Sequence, residues 1–137
     1  MVTYFTARTD ADALDARATP PEGLETIRTS LAPDDPAFTL LIELIYGEER
    51  SDAEAKRIAP VPSVEGDGLT RIGSVLRDRV AAMDERTLQD LAAPWSSSAT
   101  RRLEGLDVDA EAFLTDFQHL CRHARATDAD VYAADFL

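Results

Sequence analysis

The sequence is poor in the residues that several classes of protein depend on. Its 137 residues include one cysteine, two histidines and one tryptophan. A lone thiol cannot form a disulfide within the chain, which suits a reducing compartment and predicts a cytoplasmic protein. The glycines do not form a phosphate-binding loop, and no third zinc ligand stands at a suitable spacing. We therefore predict no cofactor and no metal.

Long apolar runs and basic patches are also missing. A membrane-spanning helix requires about 20 apolar residues, and no stretch here approaches that length. The first residues lack a basic region and a long apolar region, so we predict no signal peptide. There are 14 basic and 26 acidic residues, for a net charge of −12. Nucleic acids and anionic membrane surfaces bind basic patches, so we exclude both as partners.

The remaining composition is typical of a globular chain. Apolar residues make up 45% of the sequence and charged residues 29%, proportions found in folded rather than disordered proteins. A chain of this length can bury one hydrophobic core without disulfides or metals. We predict a single domain over residues 1–137.

The stretch from Asp35 to Gly47 predicts the central helix of that domain. Asp35 is a suitable N-cap, Pro36 fits the first helical position, and Gly47 fits a left-handed residue after the last turn. The only polar residues between them, Thr39 and Glu43, are four apart and share one narrow face. A helix that is apolar on nearly all sides is buried by its own domain or by a partner. The alternative to a core helix is therefore a homodimer interface, for which the candidates are Phe38, Ile42, Ile45 and Tyr46.

Both ends of the chain predict strands, Val2 to Ala7 and Val131 to Leu137. A lone strand leaves half of its backbone groups unpaired, so we expect the two to lie side by side. The last helix, capped by Asp107 or Asp109 and closed at Thr127-Asp128, is clearly amphipathic. Its predicted apolar face consists of Phe113, Leu114, Phe117, Leu120, Cys121 and Ala124. The predicted fold class is α+β, with a small sheet that carries both termini and packs one face against four to six helices.

The other elements are shorter. We predict helices that begin at Thr9, Ser51, Ser74 and Asp84, with the last ending at Ala93 because Pro94 disfavours helix there. The segment from Gly23 to Ser30 is ambiguous, because Leu24 and Ile27 fit a helical turn while its threonines and isoleucine also suit a strand. We interpret it as a loop with a short element. Two prolines restrict residues 60–64 to an edge strand or extended loop, and a turn at residues 65–68 leads into a strand at residues 69–72.

No catalytic constellation stands out. His119 and His123 are four apart on one side of the last helix, with Asp116 beside them, and a solvated face explains them best. Cys121 lies on the apolar face of the last helix, and we predict that it is a small buried hydrophobic residue. The serines after Trp95 are not in a nucleophile-elbow frame. An indole next to serines can line a pocket, so the ligand-pocket candidates are Trp95, Ser96 and Tyr132.

Pro94-Trp95-Ser96 is the most specific motif in the chain. Together with Leu69-Thr70-Arg71-Ile72 and the last helix and strand, it resembles a family of small uncharacterised actinobacterial proteins. Those proteins often have Trp-Gly soon after the triplet, where this chain has Ala99-Thr100. The last helix and strand are also similar to YfbM-like (DUF1877) proteins. Neither group has an established activity, so the resemblance implies the fold and transfers no catalytic residue.

Two functions follow from these observations. The first is a non-catalytic cytoplasmic interaction protein of the immunity or adaptor kind, with a basic partner protein or a second copy of itself as its target. The second is a small-ligand-binding protein, or an enzyme of unrecognised type, with a pocket near Trp95.

Overall fold

The computed structural model of the protein describes residues 2–13, 26–33, 35–47, 61–62, 69–98 and 109–135. Its strands are β1 (Val2–Ala7), β2 (Ile27–Thr29), β3 (Val61–Pro62), β4 (Leu69–Ile72) and β5 (Asp130–Asp135). Its helices are α1 (Pro36–Tyr46), α2 (Ser74–Ala82), α3 (Glu85–Gln89), α4 (Ala92–Ser98) and α5 (Ala110–Ala126). Within these ranges no helix combines the length and apolarity that crossing a membrane demands. The fold class is α+β, as predicted.

The strands form one antiparallel sheet in the order β2-β1-β5-β4-β3. The two terminal strands are neighbours over their full length, from the pair Val2 and Asp135 to the pair Ala7 and Asp130. The predicted pairing of the chain ends is therefore confirmed, and it lies in the middle of the sheet. Of the two alternatives predicted for residues 60–64, the edge strand is observed at Val61–Pro62, because β3 is the last strand of the described sheet beside β4.

The helices pack on one face of this sheet and enclose the main core. α5 contributes its predicted apolar face, every member of which is buried. Phe117 meets three aromatic rings, with centroid distances of 5.6 Å to Phe113, 5.9 Å to Phe38 and 6.1 Å to Tyr4. Tyr4 stands on β1, so these contacts join the sheet to α1 and α5.

The opposite face of the sheet is buried as well, which the sequence analysis did not predict. A second, smaller cluster lies there, and its members are Phe5, Ala7, Ala13, Leu69, Tyr132 and Ala134. Ala13 belongs to a helical turn at residues 10–13 that Thr9 caps, as predicted, by accepting a hydrogen bond of 3.0 Å from the Asp12 backbone N–H. Successive residues of a strand point to opposite faces, so Val131 and Ala133 enter the main core while Tyr132 and Ala134 enter the second cluster.

α1 begins and ends where the sequence predicts. The Asp35 carboxylate accepts a hydrogen bond of 2.8 Å from the Ala37 backbone N–H, and Gly47 follows the helix with a φ of 57°. Thr39 and Glu43 are the exposed residues of its middle turns. The positive φ of Gly47 costs little energy because glycine has no Cβ.

α5 also closes the end of α2 through two polar side chains. The Gln118 side-chain amide donates to the Met83 carbonyl at 2.9 Å, and Arg122 donates to the carbonyls of Ala81 at 3.1 Å and Met83 at 3.0 Å. Arg122 also pairs with Glu85 at 2.9 Å. The last carbonyls of a helix have no partner inside it, so these contacts fix α2 and the start of α3 against α5.

Four local predictions differ from the structure or fall outside the described residues. Pro94 does not end a helix: α4 runs through it to Ser98, with Pro94 in the first turn, where a missing N–H is tolerated. The N-cap of α2 is Gly73 rather than Ser74. The predicted helix from Ser51 and the turn at residues 65–68 lie outside the described residues.

Candidate functional site

The four interface candidates of α1 lie inside the chain's own core. Phe38, Ile42, Ile45 and Tyr46 are between 0 and 8% exposed. Tyr46 also carries the guanidinium of Arg79 over its ring, 5.1 Å from the centroid. These residues therefore have almost no surface left for a second copy of the protein.

The pocket candidates do not come together. Trp95 is fully buried in the main core, where its indole N–H donates to the Ala37 carbonyl at 2.9 Å. Its ring packs against Phe113 at 5.7 Å. Ser96 follows it in α4 and is half-buried. Tyr132 belongs to the cluster on the opposite face of the sheet. Trp95 thus joins α4 to α1, and the sheet separates it from Tyr132.

Tyr132 forms the polar centre of that opposite face. Its hydroxyl donates to the Asp10 carboxylate at 2.6 Å, and Arg71 lies 3.8 Å from the same carboxylate oxygen. Burial raises the pKa of Tyr132 above its ordinary value, and the hydrogen bond to Asp10 raises it further. The tyrosine therefore stays neutral and acts as a donor that ties the helical turn at residues 10–13 to β5.

The thiol and the imidazoles lie on different sides of α5, as the helical spacing predicts. Cys121 is fully buried, and this burial raises the pKa of its thiol. A protonated thiol in an apolar core is a poor nucleophile. His119 is exposed and His123 is half-buried. Among the residues that the structure describes, no group of three or more histidines, cysteines or carboxylates is placed to hold a metal ion.

A cleft of about 330 Å³ lies elsewhere, where β2 begins beside α5. Its lining residues are Thr26, Ile27, Asp116, His119 and Leu120. Ile27 and Leu120 belong to the main core and form an apolar floor, whereas the other three are exposed. The cleft therefore combines a buried apolar surface with an exposed carboxylate and imidazole.

The polar groups of this cleft differ from those in the rest of the fold. Within the described part of the chain, neither Asp116 nor His119 has a hydrogen bond or an ion pair. By contrast, no buried side-chain nitrogen or oxygen of the described residues is without a partner. Among the described residues, Asp116 and His119 thus stand without a partner, and a carboxylate of this kind attracts a cation.

Two of the five residues that line this cleft were predictable as neighbours from the sequence. Helical spacing places Asp116 and His119 together on the solvent side of the last helix, as the structure confirms. The position of Thr26 and Ile27 beside them was not predictable, because the segment from Gly23 to Ser30 was ambiguous. The signal that favoured a strand there was its Thr-Ile-x-Thr pattern.

Comparison of the chain with models of protein families, with curated proteins and with solved structures gave no match. The geometry described above therefore carries the functional argument.

Proposed function

We propose that the protein is a non-catalytic cytoplasmic interaction domain of the immunity or adaptor kind, and that it binds a basic partner protein. The observation that carries this proposal is the position of Asp116. It is an exposed, unpaired carboxylate of the described region, in a cleft with an apolar floor, on a chain whose net charge is −12. Charge of one sign steers a partner of the opposite sign and restricts which partners bind.

The roles of the other reactive side chains support the same proposal. The indole N–H of Trp95 and the hydroxyl of Tyr132 form hydrogen bonds that hold elements of the fold together. The Cys121 thiol is buried among apolar residues. These three side chains therefore stabilise the domain, whereas Asp116 and His119 are the ionisable groups of the cleft that have no partner among the described residues.

The proposal is tested by identifying the partner and measuring how salt affects the complex. The purified protein captures candidate partners from an extract of its source, and each candidate is then purified and titrated by calorimetry. The Debye length falls from about 10 Å in 0.1 M salt to about 3 Å in 1 M salt, so an electrostatic complex weakens over that range. We expect a partner with a basic isoelectric point and an affinity that falls steeply with salt. An acidic partner, or affinity that is indifferent to salt, contradicts the proposal.

Self-association is measured in the same preparation by light scattering. Because the four predicted interface residues of α1 are buried, we favour the basic partner over a second copy. A dimer that persists on dilution, together with no bound basic protein, would reverse that preference.

A small-ligand-binding protein is the second candidate, and the volume of the cleft favours it. Small-molecule sites typically occupy about 300–1,000 Å³, so the cleft of about 330 Å³ stands at the lower limit. Its place beside Asp116 differs from the predicted place beside Trp95. Thermal-shift screening of cationic and neutral metabolites distinguishes the two candidates, since a ligand that binds only the folded state raises the melting temperature.

A further inference from the structure

The cleft lies beside the edge of the sheet that β2 forms. β2 is the first strand in the order of the sheet, and within the described residues it pairs with β1 alone. The pairing is antiparallel, with Tyr4 opposite Ile27 and Val2 opposite Thr29. A strand at an edge keeps backbone N–H and C=O groups on its outer side that can pair with another chain.

The two faces of β2 differ in charge. Ile27 is buried on the helix side, where the cleft and Asp116 lie. The neighbouring residue Arg28 is exposed, and it has no hydrogen bond or ion pair among the described residues. Because strand side chains alternate between faces, Arg28 points to the side away from α5. A strand placed beside β2 would meet negative charge on one face and positive charge on the other.

We infer that an extended segment of the basic partner adds to the sheet beside β2 and places a lysine or arginine side chain in the cleft against Asp116. This inference rests on the proposed function and names the surface and the kind of segment that the surface fits. Strand addition of this kind takes affinity from backbone hydrogen bonds and specificity from alternate side chains. The charge of the cleft selects a cation at the position that faces α5.

The lining of the cleft suits a long cationic side chain. Lysine and arginine lay their methylene stems on apolar surface and keep the charged head where it meets water or a counter-charge. Ile27 and Leu120 supply that apolar surface, and Asp116 supplies the counter-charge at an exposed position. The next residue of the segment faces Arg28, so an acidic or neutral residue fits there and a second cation is repelled. The recognised pattern is an alternation of cationic and non-cationic residues.

Two labelled peptides of the same composition test this pattern. One alternates lysine with glutamate, and the other carries the same residues as one block of lysines and one of glutamates. Both have the same net charge, so attraction to the acidic surface as a whole does not favour either. Fluorescence anisotropy should show binding of the alternating peptide that is tighter by about tenfold or more. Equal affinity for both peptides overturns the inferred pattern.

Variants of the protein test the place of binding. Asp116→Asn removes the charge from an exposed residue, and we expect it to weaken binding of the alternating peptide and of the basic partner by about tenfold. Asp128→Asn removes the same charge at a distant, exposed position with a φ of 54°, which asparagine tolerates. Asp128 lies at least about 15 Å further along the axis of α5, so this control should leave binding unchanged. Thr26→Arg places a cation at the rim of the cleft and should abolish binding, whereas Thr26→Ser should not.

Backbone pairing needs its own test. The alternating peptide is methylated on the backbone nitrogens of every second residue, in two versions that differ by one residue. The version whose methyl groups face β2 loses its hydrogen bonds and should not bind, whereas the other should bind like the parent. Two versions that bind equally well overturn the strand addition.

The outcomes separate this inference from the proposed function. If a basic partner binds wild type and Asp116→Asn with equal affinity, the docking site is wrong and the proposed function stands. If neither a basic partner nor the alternating peptide binds the wild-type protein, both fail.

Discussion

The two faces of the sheet are both buried, but they are built differently. On the helix side, the rings of Tyr4, Phe38, Trp95, Phe113 and Phe117 form a continuous cluster. Polar atoms enter that cluster as single donors to backbone carbonyls, from Tyr4 to Leu31 and from Trp95 to Ala37. On the opposite face, a smaller cluster surrounds a hydrogen bond between two side chains, Tyr132 and Asp10.

This difference indicates that the helix-side core sets most of the stability of the domain, whereas the opposite face positions a polar network. Apolar burial contributes in proportion to area, so the larger helix-side core should dominate the free energy of unfolding. The hydrogen bond of Tyr132 adds less, because folding exchanges it for one to water. The substitutions below test that ranking, beginning with the largest expected effect.

Phe117→Ala should be the most damaging single change. Phe117 is 1% exposed and meets three other rings, so its loss opens a cavity that the rigid neighbours cannot fill. We expect the free energy of unfolding to fall by about 3–5 kcal/mol. Urea denaturation followed by far-ultraviolet circular dichroism measures it, with Phe117→Leu as the milder control. If Phe117→Ala lowers the free energy of unfolding by no more than the Tyr132 variant described below, the helix-side core does not dominate stability.

Cys121→Ser probes how apolar the helix-side core is. Cys121 is fully buried, and its protonated thiol behaves as a small hydrophobe. A serine hydroxyl in its place should lower the free energy of unfolding by about 1–3 kcal/mol, because a hydroxyl loses its hydrogen bonds to water when it is buried among apolar groups.

The matched control is Cys121→Ala, which introduces no polar atom. If Cys121→Ser lowers the free energy of unfolding less than Cys121→Ala does, a hydrogen-bond acceptor lies near this side chain and its surroundings are not purely apolar. The wild-type thiol should also resist a thiol-specific reagent until the protein unfolds, because burial raises the pKa of Cys121.

The N-caps of three helices provide a further test on the helix side of the sheet. The carboxylates of Asp35 and Asp109 accept backbone hydrogen bonds of 2.8 and 3.1 Å, whereas that of Asp84 accepts none in its own helix. Asp35→Ala and Asp109→Ala should each cost about 1 kcal/mol. Asp84→Ala should cost less than either, and equal losses at all three positions would show that helix-dipole effects outweigh the hydrogen bonds.

Tyr132→Phe tests the opposite face. Removing the hydroxyl that donates to Asp10 should cost about 0.5–1.5 kcal/mol near neutral pH. The pKa of Tyr132 is raised in the folded state, so its stabilising contribution is complete below the unfolded value of about 10 and is lost as the pH rises beyond it. The variant should therefore lose less stability than wild type between neutral and strongly alkaline pH. Parallel stability curves for the two proteins would contradict this assignment.

The elements with strong local signals were predictable from the sequence. α1 and α5 begin at capping aspartates and carry apolar residues at helical spacing, and both form as predicted. β1 was predictable because β-branched and aromatic residues are concentrated there, and β5 was also predicted as a strand. The prediction at Pro94 was wrong because a proline is disfavoured inside a helix but tolerated in its first turn, and α4 begins two residues before it.

The candidate site was less accessible to sequence reasoning. Asp116 and His119 share a helix face by spacing alone, but Thr26 and Ile27 join them only through the tertiary fold. The three residues of β2 are too few to show a period, and their strand conformation comes from pairing with β1. Trp95 and Tyr132 were both pocket candidates, but they belong to clusters on opposite faces of the sheet.

The central place of β5 has a consequence for synthesis of the chain. β5 is the strand that joins the β2-β1 pair to the β4-β3 pair. Without residues 130–135, the β2-β1 pair and the β4-β3 pair would each have an open edge toward the missing strand. Ribosome stalling or proteolytic trimming there would release a species prone to intermolecular pairing. Loss of β5 would therefore open two strand edges at once, whereas loss of β2 or β3 would open only one.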